Sequence, residues 1–78
     1  MYLWISIGDY TEYRICSDID ILRRYIRYRY SFANIIFEKG EGGKIIVRGD
    51  IVTKENEYSY TQGYIINIKE IENFIIDR

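Results

Sequence analysis

Two alternating runs, YLWISI (2–7) and TEYRIC (11–16), flank a Gly8-Asp9 turn signal, and one register lets both stack their apolar residues. A three-residue loop at 8–10 sets Ile7 opposite Thr11, Ile5 opposite Tyr13 and Leu3 opposite Ile15. A slip of one residue would send every side chain to the other face. A two-residue Gly-Asp turn is the alternative. A chain that opens on this β-hairpin is committed to an antiparallel sheet, so every later segment must pair with it or cover it.

The next segment has the helical period. Ile19, Leu22, Ile26 and Tyr30 recur on one face, with Tyr25 beside them, over about residues 18–31. Ser17 stands as the cap, Asp20 lies three residues on, and Asp18 and Asp20 complement the positive end of the helix dipole. NIIFEK (34–39) and KIIVR (44–48), joined by GEGG, read as a second hairpin. Gly49-Asp50 is expected to break the second run, as a bulge or tight turn, before Ile51-Val52.

After the polar TKENE, the run YSYTQGYII alternates. As one uninterrupted strand it puts Tyr58, Tyr60, Gln62, Tyr64 and Ile66 on a shared face, with Gly63 as a point of bending or bulging. Asn67-Ile68-Lys69-Glu70 repeats the capping pattern and starts a second, short helix with Ile68, Ile71 and Ile75 as its stripe and Phe74 alongside. The order is β-β-α-β-β-β-α. It predicts an α+β domain over residues 1–78, an antiparallel sheet of 4–5 strands with two amphipathic helices packed on one face. Both sheet faces carry apolar residues, and a homodimer is a natural way for so short a chain to bury more of them.

The chemistry is bounded by what the chain lacks. There is no histidine and one cysteine, Cys16. That removes an imidazole base, the Ser-His-Asp and Cys-His arrangements, and an internal disulfide. A zinc site would have to be drawn from one thiol and carboxylates, so neither a metal nor a cofactor is expected. Cys16, beside a helix start, is read as a small buried hydrophobe rather than a nucleophile. The loop Gly40-Glu41-Gly42-Gly43-Lys44 fails as a phosphate loop: its spacing is short, Ile45 stands where a hydroxyl residue is needed, and a strand follows instead of a helix. Asp18 with Asp20, and Glu70 with Glu72, are helix-end acids before they are catalytic pairs. The chain is read as a non-enzyme. It has neither a leader nor an apolar run of membrane-spanning length, so the expected compartment is the cytoplasm, of a cell or of an infected host.

What stands out is RRYIRYRY (23–30), four arginines and three tyrosines in a chain of net charge −1. Near-neutral charge argues against broad coating of nucleic acid, so any basic patch is local. Part of the segment is explained without a ligand: late arginines suit the helix dipole, and their stems cover apolar surface. The rest points to a gripping face. Arg23, Arg24 and Arg27 fall within about 100° of helical arc, on the side turned from the sheet, with Tyr28 next to them. Planar guanidinium groups take phosphate or carboxylate in a bidentate fork, and tyrosines stack on bases or fill pockets of a protein partner. The expected binding set is Arg23, Arg24, Arg27 and Tyr28, joined by Tyr58, Tyr60 and Tyr64 of the tyrosine-rich strand.

In size, in its Ile, Tyr, Asn and Lys content and in lacking a catalytic set, the chain resembles the small proteins with which phages and other mobile elements block host defences, anti-CRISPR inhibitors among them. The resemblance is compositional and carries no residue assignments. It implies a binding protein that acts by occupation, on a nucleic-acid-handling protein or its nucleotide ligand. A small RNA- or DNA-binding module and a structural subunit of a virion or complex are the alternatives.

Overall fold

A computed structural model describes residues 1–8 and 11–69. Among them the order is β1 (Tyr2–Ser6), β2 (Tyr13–Cys16), α1 (Ile19–Arg29), β3 (Asn34–Lys39), a 3-10 turn (Glu41–Gly43), β4 (Ile45–Val52) and β5 (Glu57–Asn67). The five strands form one antiparallel sheet in the order β2-β1-β5-β4-β3. The α+β architecture expected from sequence is therefore present with five strands, but with one helix among the described residues. The second helix was placed on a segment that falls mostly in residues 70–78, outside the described part. What is described of its start is the Asn67 cap, whose Oδ1 accepts from the Lys69 N–H at 3.0 Å.

The opening hairpin has the expected register, Leu3 opposite Ile15 and Ile5 opposite Tyr13. Its burial is the reverse of what the apolar count suggests. Trp4 and Ser6 face the helix and are buried, whereas Tyr13 and Ile15, opposite Ile5 and Leu3, are exposed on the other face. The larger residue decides: Trp4 is worth more in the core than any isoleucine of that strand, since aromatic side chains carry the largest apolar area. Its Nε1–H still has a partner, donating to Glu12 Oε1 at 3.1 Å.

Helix α1 starts one residue later than expected. Asp18, not Ser17, is the cap, and its Oδ1 accepts from the Asp20 and Ile21 N–H groups. Such a cap is worth about 1 kcal/mol. Leu22, Ile26 and Tyr30 point down onto Trp4, Ile35, Val47 and Ile65, and these seven residues are the core. Each fully buried aliphatic among them contributes roughly 1.5–3 kcal/mol as an upper bound. Tyr30 stands edge-on to Trp4 at 6.0 Å. Its hydroxyl is buried rather than wet and donates to Ser6 Oγ at 3.0 Å, and Gln62 Nε2 donates to the same oxygen at 3.2 Å.

Gly49-Asp50 does not break β4, which runs unbroken from Ile45 to Val52. The Tyr60 ring lies across Gly49; a Cβ there would sit 2.6 Å from the Tyr60 Cζ, so the ring would have to move. The irregularity is in β5. Val47 pairs with Gly63 but Arg48 pairs with Thr61, so Gln62 is an extra residue on that strand. The bulge inverts the alternation. Tyr60 and Gln62 lie on the helix side, where Gln62 reaches Ser6. Tyr64 and Ile66, opposite Ile5 and Leu3, lie on the uncovered side. The single shared face expected for Tyr58, Tyr60, Gln62, Tyr64 and Ile66 does not exist.

Candidate functional site

Helix α1 has two flanks, one facing each edge of the sheet. On the β2 side Tyr25 donates its hydroxyl proton to Glu12 Oε2 at 2.9 Å, and the Arg14 guanidinium lies 4.6 Å above the Tyr25 ring. Burial, with the Glu12 carboxylate as acceptor, raises the Tyr25 pKa above its ordinary value. This flank is closed by its own contacts.

The β3 flank is open. Arg23 and Arg27, one turn apart on the helix, both lie over the ring of Phe37 on β3, at 5.6 and 4.9 Å. Arg24, nearer the solvent side, brings its Nε within 3.5 Å of the Asp20 carbonyl oxygen. With Asp20, Ile35 and Ile36 these residues line a groove of about 590 Å³ between α1 and β3. The sequence grouped Arg23, Arg24 and Arg27 correctly but put them on the side of α1 turned from the sheet. The reason for the difference is geometric. Leu22 and Ile26 define the buried line of the helix, and Arg23 and Arg27 follow each of them by one residue, about 100° round. That places them against the sheet edge instead of opposite it.

The groove carries three guanidinium groups and one carboxylate. The nearest approach between them is Arg23 to Asp20 at 3.7 Å, an exposed pair of small energetic weight. Arg23 Nε is buried and has no hydrogen-bond partner. The Phe37 ring gives two cations an apolar seat that holds them side by side despite their like charge, through the negative face of the ring. Phe37 was not singled out in the sequence. The signal that could have found it is its i+2 position after Ile35, which puts it on the same face as that core residue.

The tyrosines do not join this groove. Tyr28 is exposed on the outer side of α1, 83 % accessible and outside the lining of the groove. Tyr58 is exposed at the far end of the sheet, beyond the helix. Tyr60 is packed over Gly49 with its hydroxyl buried and unpartnered, and burial raises its pKa above the ordinary tyrosine value. Tyr64 is on the uncovered face, beneath the Lys44 ammonium at 5.0 Å. Four expected binding residues are therefore dispersed, and three converge. A second charged cluster occupies the uncovered face: Arg48 pairs with Glu38 and Asp50, and Asp50 Oδ1 also accepts from Ser59 Oγ at 2.8 Å. The Ser59 hydroxyl and the Arg48 guanidinium hold the Asp50 carboxyl below the usual carboxylate range. This cluster satisfies itself and leaves no free arm for a ligand.

Cys16 is half-buried against the core, its thiol 3.3 Å from the Asp18 carbonyl oxygen. Among the described residues no three His, Cys, Asp or Glu side chains converge as a metal site would require, and no helix is long and apolar enough to cross a membrane. Comparison with protein-family models, with curated proteins and with solved structures returned no match, so the groove is interpreted from its own chemistry.

Proposed function

We propose that the chain is a non-enzymatic binding protein that holds an anionic partner surface in the groove between α1 and β3. The observation that carries this is the convergence of Arg23, Arg24 and Arg27 on one open groove with a single acid in it. Side chains on a rigid helix, two of them seated on a ring, give up little further freedom when they close on a carboxylate or phosphate. The sequence supplies no histidine for general acid–base chemistry, which favours occupation over turnover.

The partner is a protein, of the kind that handles nucleic acid, and the protein acts as an inhibitor of host defence in the cytoplasm. That finer part of the proposal rests on the compositional resemblance to phage and mobile-element inhibitors. The homodimer belongs to the same proposal, with Tyr13 and Ile15 on the uncovered face as the residues it would bury.

The test is capture from lysate by the tagged protein and by an Arg23→Ala, Arg24→Ala, Arg27→Ala variant, with and without nuclease. The expected result is a protein species that survives nuclease and is lost with the variant, while the variant keeps a cooperative thermal transition. Equal capture by both overturns the assignment of the groove. Capture that vanishes with nuclease, together with a salt-steep gel shift, transfers it to the nucleic-acid-binding alternative.

A further inference from the structure

Strand β3 has a sheet neighbour on one side only. The sheet order ends at β3, so among the described residues the outer backbone N–H and C=O groups of Asn34–Lys39 face no strand. The other edge, β2, is four residues long, against six for β3. Open edges are commonly protected by proline, by a bulge or by charged side chains. β3 has no proline, its pairing with β4 is unbroken from Asn34 to Lys39, and its charged residues, Glu38 and Lys39, are confined to its last two positions. The guanidinium row described above runs beside this same edge.

Building on the reading of the groove as an anion-binding site, we propose that it receives an extended acidic peptide segment, which adds to β3 as a sixth strand. Backbone hydrogen bonds to the β3 edge give the attachment, and side chains on one face of the added strand give the selectivity. A strand turns alternate residues to opposite faces, about 6.8 Å apart on each face. Arg23 and Arg27 are separated by one turn of helix, about 6 Å of rise. Acidic residues at alternate positions can therefore meet successive arginines on the helix side, beside Ile35 and Phe37. The intervening residues fall on the opposite face, beside Ile36, the apolar residue that β3 turns to that side between Asn34 and Glu38. The recognised pattern is an alternation of acidic and apolar residues over about six positions, close to the ~20 Å length of the strand that it pairs with.

The experiment uses three short capped peptides: one alternating Glu with Val, one alternating Lys with Val, and one of the same composition as the first with its Glu and Val residues in separate blocks. Binding to the full chain is followed by amide chemical shifts and by amide hydrogen exchange. The alternating acidic peptide should bind, slow the exchange of outward amides in residues 34–39, and weaken about tenfold when Arg23 and Arg27 are both replaced by Gln, the loss of one charge-assisted contact or more. The other two peptides should bind at least about tenfold more weakly, for want of the charge or of the alternation.

Three results overturn the proposal. Arginine-dependent binding without protection of 34–39 means that the groove takes anions without strand addition, which leaves the function proposed above intact. Absence of binding by the alternating acidic peptide at millimolar concentration removes strand addition, while capture by the groove variant still decides that function separately. Tighter arginine-dependent binding of a short oligonucleotide than of the peptide assigns the groove to phosphate.

Discussion

Gly63 leaves no room for a side chain, and replacing it with alanine gives a quantitative test of the sheet's centre. A Cβ at this position would sit 2.1 Å from the Ile5 carbonyl oxygen and 2.6 and 2.8 Å from two atoms of the Trp4 ring. Ordinary contacts between heavy atoms are about 3.5–4.0 Å, so the overlap with Ile5 exceeds 1 Å. Neither neighbour can yield cheaply. Ile5 presents backbone that pairs with β5 itself, and Trp4 is wholly buried under α1. Overpacking with one extra carbon costs about 1–3 kcal/mol where side chains can shift. Here backbone must move, so Gly63→Ala is expected to cost about 3 kcal/mol or more, a large part of the 5–15 kcal/mol typical of a domain. At 4–8 °C per kcal/mol for a chain of this size, Tm falls by about 12–24 °C.

Gly49→Ala is the internal comparison. Its closest contacts are the far end of the Tyr60 side chain, which can swing away, so its loss should be clearly smaller. Thermal and urea unfolding followed by the fluorescence of Trp4, the one tryptophan of the chain and a wall of the clash, measures both variants. A Gly63→Ala protein that melts within about 4 °C of the parent, or one more stable than Gly49→Ala, would refute the packing argument and the bulge geometry on which it rests.

Further outcomes follow from single contacts. Ser6→Ala removes the shared acceptor of Tyr30 and Gln62, and should cost about 1–3 kcal/mol for each donor left buried, more than Tyr30→Phe costs, measured by urea midpoints. Asp50 has its folded pKa depressed by Ser59 and Arg48. Its stabilising contribution is present above the unfolded value of about 3.9 and is lost as pH falls through the folded value, so the acid limb of stability should be shallower in Asp50→Asn. Tyr60 has its folded pKa raised by burial. Burial thus favours the neutral form and costs stability as pH rises past the ordinary tyrosine value of about 10, and ultraviolet titration should show late phenols, Tyr25 and Tyr60, of which Tyr60→Phe removes one. If the uncovered face forms the homodimer, Ile15→Lys returns sedimentation to that of a monomer over a concentration range in which the parent associates.

Local chemistry was legible in the residues themselves. The period-2 runs located the strands, the turn at Gly8 set the Leu3–Ile15 and Ile5–Tyr13 pairs, and the 3.6 period identified Leu22, Ile26 and Tyr30 as the inward line of α1. Each of these depends on neighbours close in the chain, which is why they could be read there. The grouping of Arg23, Arg24 and Arg27 was legible for the same reason, since one helix carries all three. What they face was not. That is decided by the sheet order, which sets β3 at an edge and Phe37 beneath two guanidinium groups, contacts between residues 10 or more positions apart. The same holds for the tyrosines: one extra residue at Gln62 turns Tyr60 inward and Tyr64 outward, and alternation counted along the strand has no means of registering a bulge that its partner strand imposes. Sequence determined which segments are strands and helix and which residues can carry charge together; the pairing of distant strands alone determined which face each side chain meets, because burial is a property of the assembled layers.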